Sequence, residues 1–136
     1  MSAFVDASVL VAILAREFDY IEQNDRLLSH DNLLWSPISR WETIGGVARA
    51  TRYGDALSAE IADAFADENG FEMVPIGDAE ARIAVEAHHR YGKGRHDAKL
   101  NMGDCFAYAS ARSREVPLLF KGNDFSHTDL ATDEAP

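Results

Sequence analysis

The sequence has one cysteine, Cys105, so it cannot close an internal disulfide, and a reducing cytoplasm is the expected setting. A multi-cysteine zinc site is excluded for the same reason, since one Cys and scattered His lack ligand spacing. No stretch approaches the roughly 20 apolar residues of a membrane-spanning helix. The apolar start Ala3-Phe4-Val5 is broken at once by Asp6 and no basic segment precedes it, which argues against a secretory leader. There is no internal repeat and no low-complexity linker. Basic residues are also scarce: 13 Lys and Arg face 23 Asp and Glu, for a formal charge of −10. Alone, that balance argues against nucleic acid, whose phosphates are met by Lys and Arg, and points to metal ions, a basic partner or plain solubility.

What is present is an ordinary globular composition, 46% hydrophobic over 136 residues, the length of one domain. Short apolar runs alternate with helical patterns. Ala3-Phe4-Val5, Leu33-Leu34-Trp35, residues 71–76 and residues 116–120 read as strands. Helices are expected from Ser8 to Glu17, Asp19 to Ser29, and over residues 38–51, 56–67, 79–91 and 103–114. In the helix at 38–51, Ile38, Trp41, Gly45 and Ala48 supply the expected buried stripe, with Trp35 and Trp41 as core anchors. Residues 92–96 form a loop, and the acidic tail after Leu130 is expected to fray. Strands separated by helices predict an α/β fold with a mainly parallel sheet, whose ligands gather at the carboxyl ends of the strands.

Four acids sit where such a site would want them. Asp6 ends the first strand, Asp124 follows the last one, Glu42 lies inside a helix, and Asp104 opens another. Each has a structural alternative. Asp6 and Ser8 can cap a helix, Asp104 suits a first turn, Ser39 to Glu42 matches a capping box, and Asn123-Asp124 suits a turn. Together, carboxylates brought close repel and raise one another's pKa unless a cation neutralises them. Hard oxygen ligands select Mg²⁺ or Mn²⁺, which can orient a water, lower its pKa and stabilise charge on a phosphodiester. Neither a serine–histidine arrangement nor a phosphate-cradling loop competes, since Gly92-Lys93-Gly94 lacks the rest of a P-loop.

These residues resemble PIN-domain nucleases. Phe4-Val5-Asp6-Ala7-Ser8 resembles the family's opening, and Ser36-Pro37-Ile38-Ser39-Arg40-Trp41-Glu42 its second acidic motif. Leu100 to Ala109, with Asn101, Gly103 and Asp104, is similar to the third motif as VapC toxins write it. Leu118 to Phe125, followed by Thr128-Asp129, resembles the closing motif. The resemblance implies a three-layer α/β/α fold and Mg²⁺- or Mn²⁺-dependent endonucleolytic cleavage of RNA. It also implies neutralisation by a cognate VapB-type antitoxin, and a homodimer. By motif, Asp6, Glu42, Asp104 and Asp124 become the catalytic and metal-binding set, with Ser8, Asn101, Arg112 and Asn123 in support. Asn123 stands where many relatives carry an acid; an amide can donate an oxygen but adds no charge.

RNA still needs cations. Arg90, Lys93, Arg95, His96 and Lys99 surround the loop before Asp104, and Arg49 shares the Glu42 face, so this loop and Arg49 are expected to guide the phosphate backbone, a solvated charge run being the alternative. Cys105 is expected to be a buried small hydrophobe. Rival functions are an aspartyl phosphatase, weakened by Ser8 where a second Asp would stand; a catalytically silent PIN fold that only binds a partner; and a non-toxin RNA-processing PIN nuclease.

Overall fold

A computed structural model describes residues 1–94, 99–122, 125–126 and 128–129. Its element order is β1 (Ser2–Val5), α1 (Ala7–Leu14), α2 (Tyr20–Leu28), β2 (Asn32–Trp35), α3 (Pro37–Ala50), α4 (Asp55–Glu68), β3 (Glu72–Met73), α5 (Asp78–Tyr91), α6 (Met102–Arg114) and β4 (Leu118–Leu119). The four strands form one sheet in the order β3-β2-β1-β4. Every pairing is parallel: Phe4 lies opposite Leu34 on one side and Leu118 on the other, and Leu34 lies opposite Glu72. Parallel pairing aligns all the strands' carboxyl ends along one edge.

Alternation along β1 builds the layers. Phe4 points into a cluster with Leu34, Leu118, Tyr91 of α5 and Tyr108 of α6, while Ala3 and Val5 point into the opposite cluster with Leu10 of α1, Leu27 of α2 and Ala66 of α4. β1 is thus buried on both faces, which is why it reads as a continuous apolar run. The result is the expected three-layer α/β/α arrangement.

Three details differ from expectation. β3 and β4 have two residues each, where six and five were expected. Past β3, the Val74 amide still reaches the Trp35 carbonyl at 2.8 Å, but Pro75 has no N–H to continue the ladder. The cap of α3 lies three residues upstream of the expected one. Ser36 is the N-cap, Pro37 takes the first helical position, and the reciprocal box joins Ser36 to Ser39, which leaves Glu42 beyond the first turn. The buried stripe of α3 is Ser39, Thr43, Gly46 and Val47, not the face of Trp41, which is 69% exposed. Small residues win there because α3 runs close to α1: a Cβ at Gly46 would stand 2.5 Å from a Val11 methyl. Trp35, by contrast, is buried and meets Phe71 edge-on, as expected of a core anchor.

Candidate active site

The chain leaves β1 at Asp6, whose backbone is extended and whose carboxylate turns back to cap α1, accepting from the Ser8 amide at 3.0 Å and from the Ser8 hydroxyl. That hydroxyl in turn accepts from the Lys121 amide at 3.0 Å. Ser8 therefore ties the exits of the neighbouring strands β1 and β4 together, and fixes one face of the Asp6 carboxylate. Asp6 is buried, at 6% exposure.

Asp104 is held by a reciprocal cap. It donates its amide to Asn101 Oδ1 at 2.8 Å, and its carboxylate accepts from the Asn101 amide at 3.1 Å. Asp104 is a first-turn residue of α6, as its structural alternative expects, and it also lines the site's cavity. Asp104 Oδ2 does the capping.

Glu42 reaches the same place from α3. Its carboxylate lies against Gly103, where a Cβ would overlap it. Burial first, and then the charge of Asp6, push the Glu42 carboxyl up to about 7, with Arg49 pulling the other way. Asp6, Glu42 and Asp104, from three separate segments, line one cavity of about 570 Å³ at the carboxyl edge of the sheet.

The same cavity is lined by Ser8, Gly46 and Arg49, and also by Glu17 and Lys121, which were not among the expected site residues. Lys121 Nζ pairs with Glu17 and, at 2.8 Å, with Asp19, pinning the α1–α2 turn beside the cavity mouth. The clue available in the sequence was position: Lys121 follows the last strand as Asp6 follows the first.

The other expected residues are dispersed. Arg90 stacks over the Tyr91 ring and, with Arg112, lines a separate groove beside Tyr108 and Asp129. Arg112 lies eight positions after Asp104, about 12 Å along the helix, and approaches Asp129 at 3.6 Å, so it does not line the acid cavity. Lys93 and Lys99 are exposed and lie outside that cavity. Arg95, His96, Asn123, Asp124 and the tail from Leu130 lie outside the described residues. Cys105 is buried as expected; burial, then the charge of Asp104, push its thiol up to about 11.

A family model for the PIN domain matches residues 3–130. The chain belongs to the PIN-domain family. Its relatives within that family are VapC ribonucleases: one from Rhizobium meliloti is 40% identical across 94% of this chain and 99% of its own length. Ribonuclease VapC30 of Mycobacterium tuberculosis is 39% identical across 97% of this chain and 98% of its own. The crystal structure of Mycobacterium tuberculosis VapC20, described as a Sarcin-Ricin loop cleaving toxin, superimposes with a TM-score of 0.73 at 20% identity, covering 91% of this chain and 92% of that one. At that identity the likeness speaks for the PIN fold, and the layer order above is that fold.

The donor set of this PIN domain suits a hard cation. The cavity's ligating groups are carboxylate oxygens, with no His or Cys among its lining residues. Among the described residues, no group of three acidic, His or Cys side chains is placed to hold a metal ion by itself. An ion such as Mg²⁺ does not require such a group, because it keeps several waters and binds through one or two carboxylates. Burial first, and then the charge of Asp6, disfavour the ionised form of Glu42, and a cation bound beside it would favour that form.

Proposed function

We propose that this PIN domain is a Mg²⁺- or Mn²⁺-dependent endoribonuclease acting as the toxin of a VapBC-type pair. One observation carries the proposal: in a chain of the VapC lineage, Asp6, Glu42 and Asp104 line a single cavity at the carboxyl edge of the parallel sheet. A divalent cation there supplies Lewis acidity, which lowers the pKa of a water and offsets charge on the phosphodiester. Asp6 and Asp104, each oriented by a cap, and Glu42 from α3 are the residues that would hold it, with Asp124 as the fourth acid of the set.

The remaining side chains position the substrate. Arg49 at the cavity mouth meets a phosphate oxygen, and its charge also favours the ionised form of Glu42. Ser8 keeps the Asp6 carboxylate aimed while its hydroxyl holds the Lys121 backbone. Lys121, saturated by Glu17 and Asp19, braces the rim and leaves phosphate binding to Arg49.

The remaining negative surface suits a basic segment of a VapB-type antitoxin, and the proposal includes a homodimer in the cytoplasm. Among the described residues no helix is long and apolar enough to cross a membrane. The test is a mixed RNA pool incubated with antitoxin-free protein and either Mg²⁺, Mn²⁺ or chelator. Endonucleolytic fragments that need the cation support the proposal; an intact pool under both ions would leave a silent partner-binding PIN fold as the better account.

A further inference from the structure

Trp41 exposes 69% of its surface, whereas the chain's other tryptophan, Trp35, exposes 5%. Leaving an indole in water forgoes one of the largest apolar gains a side chain offers. Trp41 directly precedes Glu42 and lines a groove of about 570 Å³ between α3 and α4, together with Ile44, Ala56 and Ala59. Glu42 and Arg49 line both this groove and the acid cavity, so the two hollows adjoin across these side chains. Arg40 grips Asp63 with two bonds of 2.8 Å each, which braces α3 against α4 and holds the groove's width. An aromatic wall thus stands one residue from a candidate ligand, with the Arg49 guanidinium at the junction.

That sequence of groups, aromatic face then guanidinium then acid pocket, matches an unpaired nucleotide chain: a base, its phosphate, and the bond to be cut. Unstacked bases of single-stranded RNA are taken up on aromatic side chains, whereas the edges of a paired A-form helix are hard to reach. A protein segment is the competing occupant, but a stable protein contact covers about 800 Å² on each partner. The apolar wall here, one Trp, one Ile and two Ala, has the footprint of a base.

We infer that Trp41 is the stacking platform for an unpaired nucleobase beside the scissile phosphate, with Arg49 holding the phosphate between them. The inference rests on the RNA-cleaving function proposed above and assigns its substrate an unpaired base at the cut.

The test compares wild type with Trp41→Phe, Trp41→Leu and Trp41→Ala on a short single-stranded RNA in Mn²⁺, with a matched series lacking one base at successive positions. Trp41→Ala and Trp41→Leu are expected to lower kcat/KM about 10-fold or more through KM, while Trp41→Phe keeps most of it. One abasic position should cost wild type the same factor and cost Trp41→Ala nothing further. A second readout does not need cleavage: in Asp104→Asn, bound RNA should quench the exposed Trp41 emission, and adding Trp41→Phe should remove that quenching. Cleavage by wild type with equal cleavage by Trp41→Ala overturns the inference alone, as does full activity of Trp41→Leu. A change of oligomeric mass or of antitoxin affinity in Trp41→Ala without a change in cleavage assigns the face to a protein and also overturns it. If wild type does not cut, the proposed function fails; bound RNA without quenching, or no RNA bound at all, then takes this inference with it.

Discussion

Gly103 faces the Glu42 carboxylate so closely that any Cβ at position 103 would occupy the carboxylate's place. α3 and α6 meet there, and the missing side chain is what lets Glu42 share a cavity with Asp104, the next residue along α6. In an ordinary helix Gly→Ala is favourable by about 1 kcal/mol.

Gly103→Ala is therefore expected to fold with little change in stability, because the overlap is with the far end of a flexible side chain, and to lose cleavage. Displacing a site group by about 1 Å can cost on the order of 100-fold. Melting curves and cleavage rates measured together check this. In a Glu42→Gln background the same substitution should cost little more. A Gly103→Ala variant as active as wild type would detach Glu42 from the reaction.

The raised carboxyl of Glu42 gives a pH dependence with a definite sign. Its ordinary value is 4.5 and the folded, cation-free value is about 7. Between those pH values the folded chain holds a proton that the unfolded chain has released, so raising the pH through this window removes stability. In chelator, the midpoint of thermal unfolding should fall from pH 5 to pH 7.5 through this group. Saturating Mn²⁺ should cancel the fall, because binding draws the proton off. Calorimetry in buffers of different ionisation enthalpy should find about one proton released per cation near pH 6 and almost none near pH 8. A stabilisation by Mn²⁺ that is flat across this range would contradict the assignment of Glu42 to the cation.

Ser8→Ala removes the hydroxyl shared by Asp6 and the Lys121 backbone. Leaving a half-buried amide unsatisfied costs about 1–3 kcal/mol, and that is the expected loss in urea unfolding. The Asp6 carboxylate still accepts from the Ser8 amide, so cleavage should fall less than in Asp6→Ala.

Cys105 adjoins Asp104 and yet has no nucleophilic role to play. With its thiol pushed up to about 11 and buried, it should resist a disulfide reagent at pH 7.5 in the folded protein and react once the chain is unfolded. Cys105→Ala should keep full cleavage activity.

Asp6 and Asp104 were legible in the sequence because their positions follow from local rules: an acid after a buried strand lands on the sheet edge, and an acid three residues after Asn101 completes a cap. The layered fold was legible because β1, β2 and β4 carry apolar runs and the helices are periodic. The stripe of α3 was misjudged because periodicity weighs large apolar residues, so it chose Trp41. The packing chose Gly46 and Thr43, for which closeness to α1 matters more than hydrophobicity. Trp41, expected in the core, stands in water. The loop cations were harder still, since nearness in sequence to Asp104 says nothing of which groove Arg90 enters. Lys121 needed knowledge of which strands are neighbours.

The central claim is that the charges of Asp6 and Asp104 hold the cation that cleaves RNA. Asn replacements keep the shape and cap-accepting oxygen of each side chain while removing the charge. The direct measurement is the rate of RNA cleavage in saturating Mn²⁺ by wild type, Asp6→Asn and Asp104→Asn, each shown to be folded. The account predicts that both variants lose at least about 100-fold in rate, on the scale of removing one preorganised electrostatic group from an active site. Either folded variant cutting RNA at the wild-type rate would contradict it.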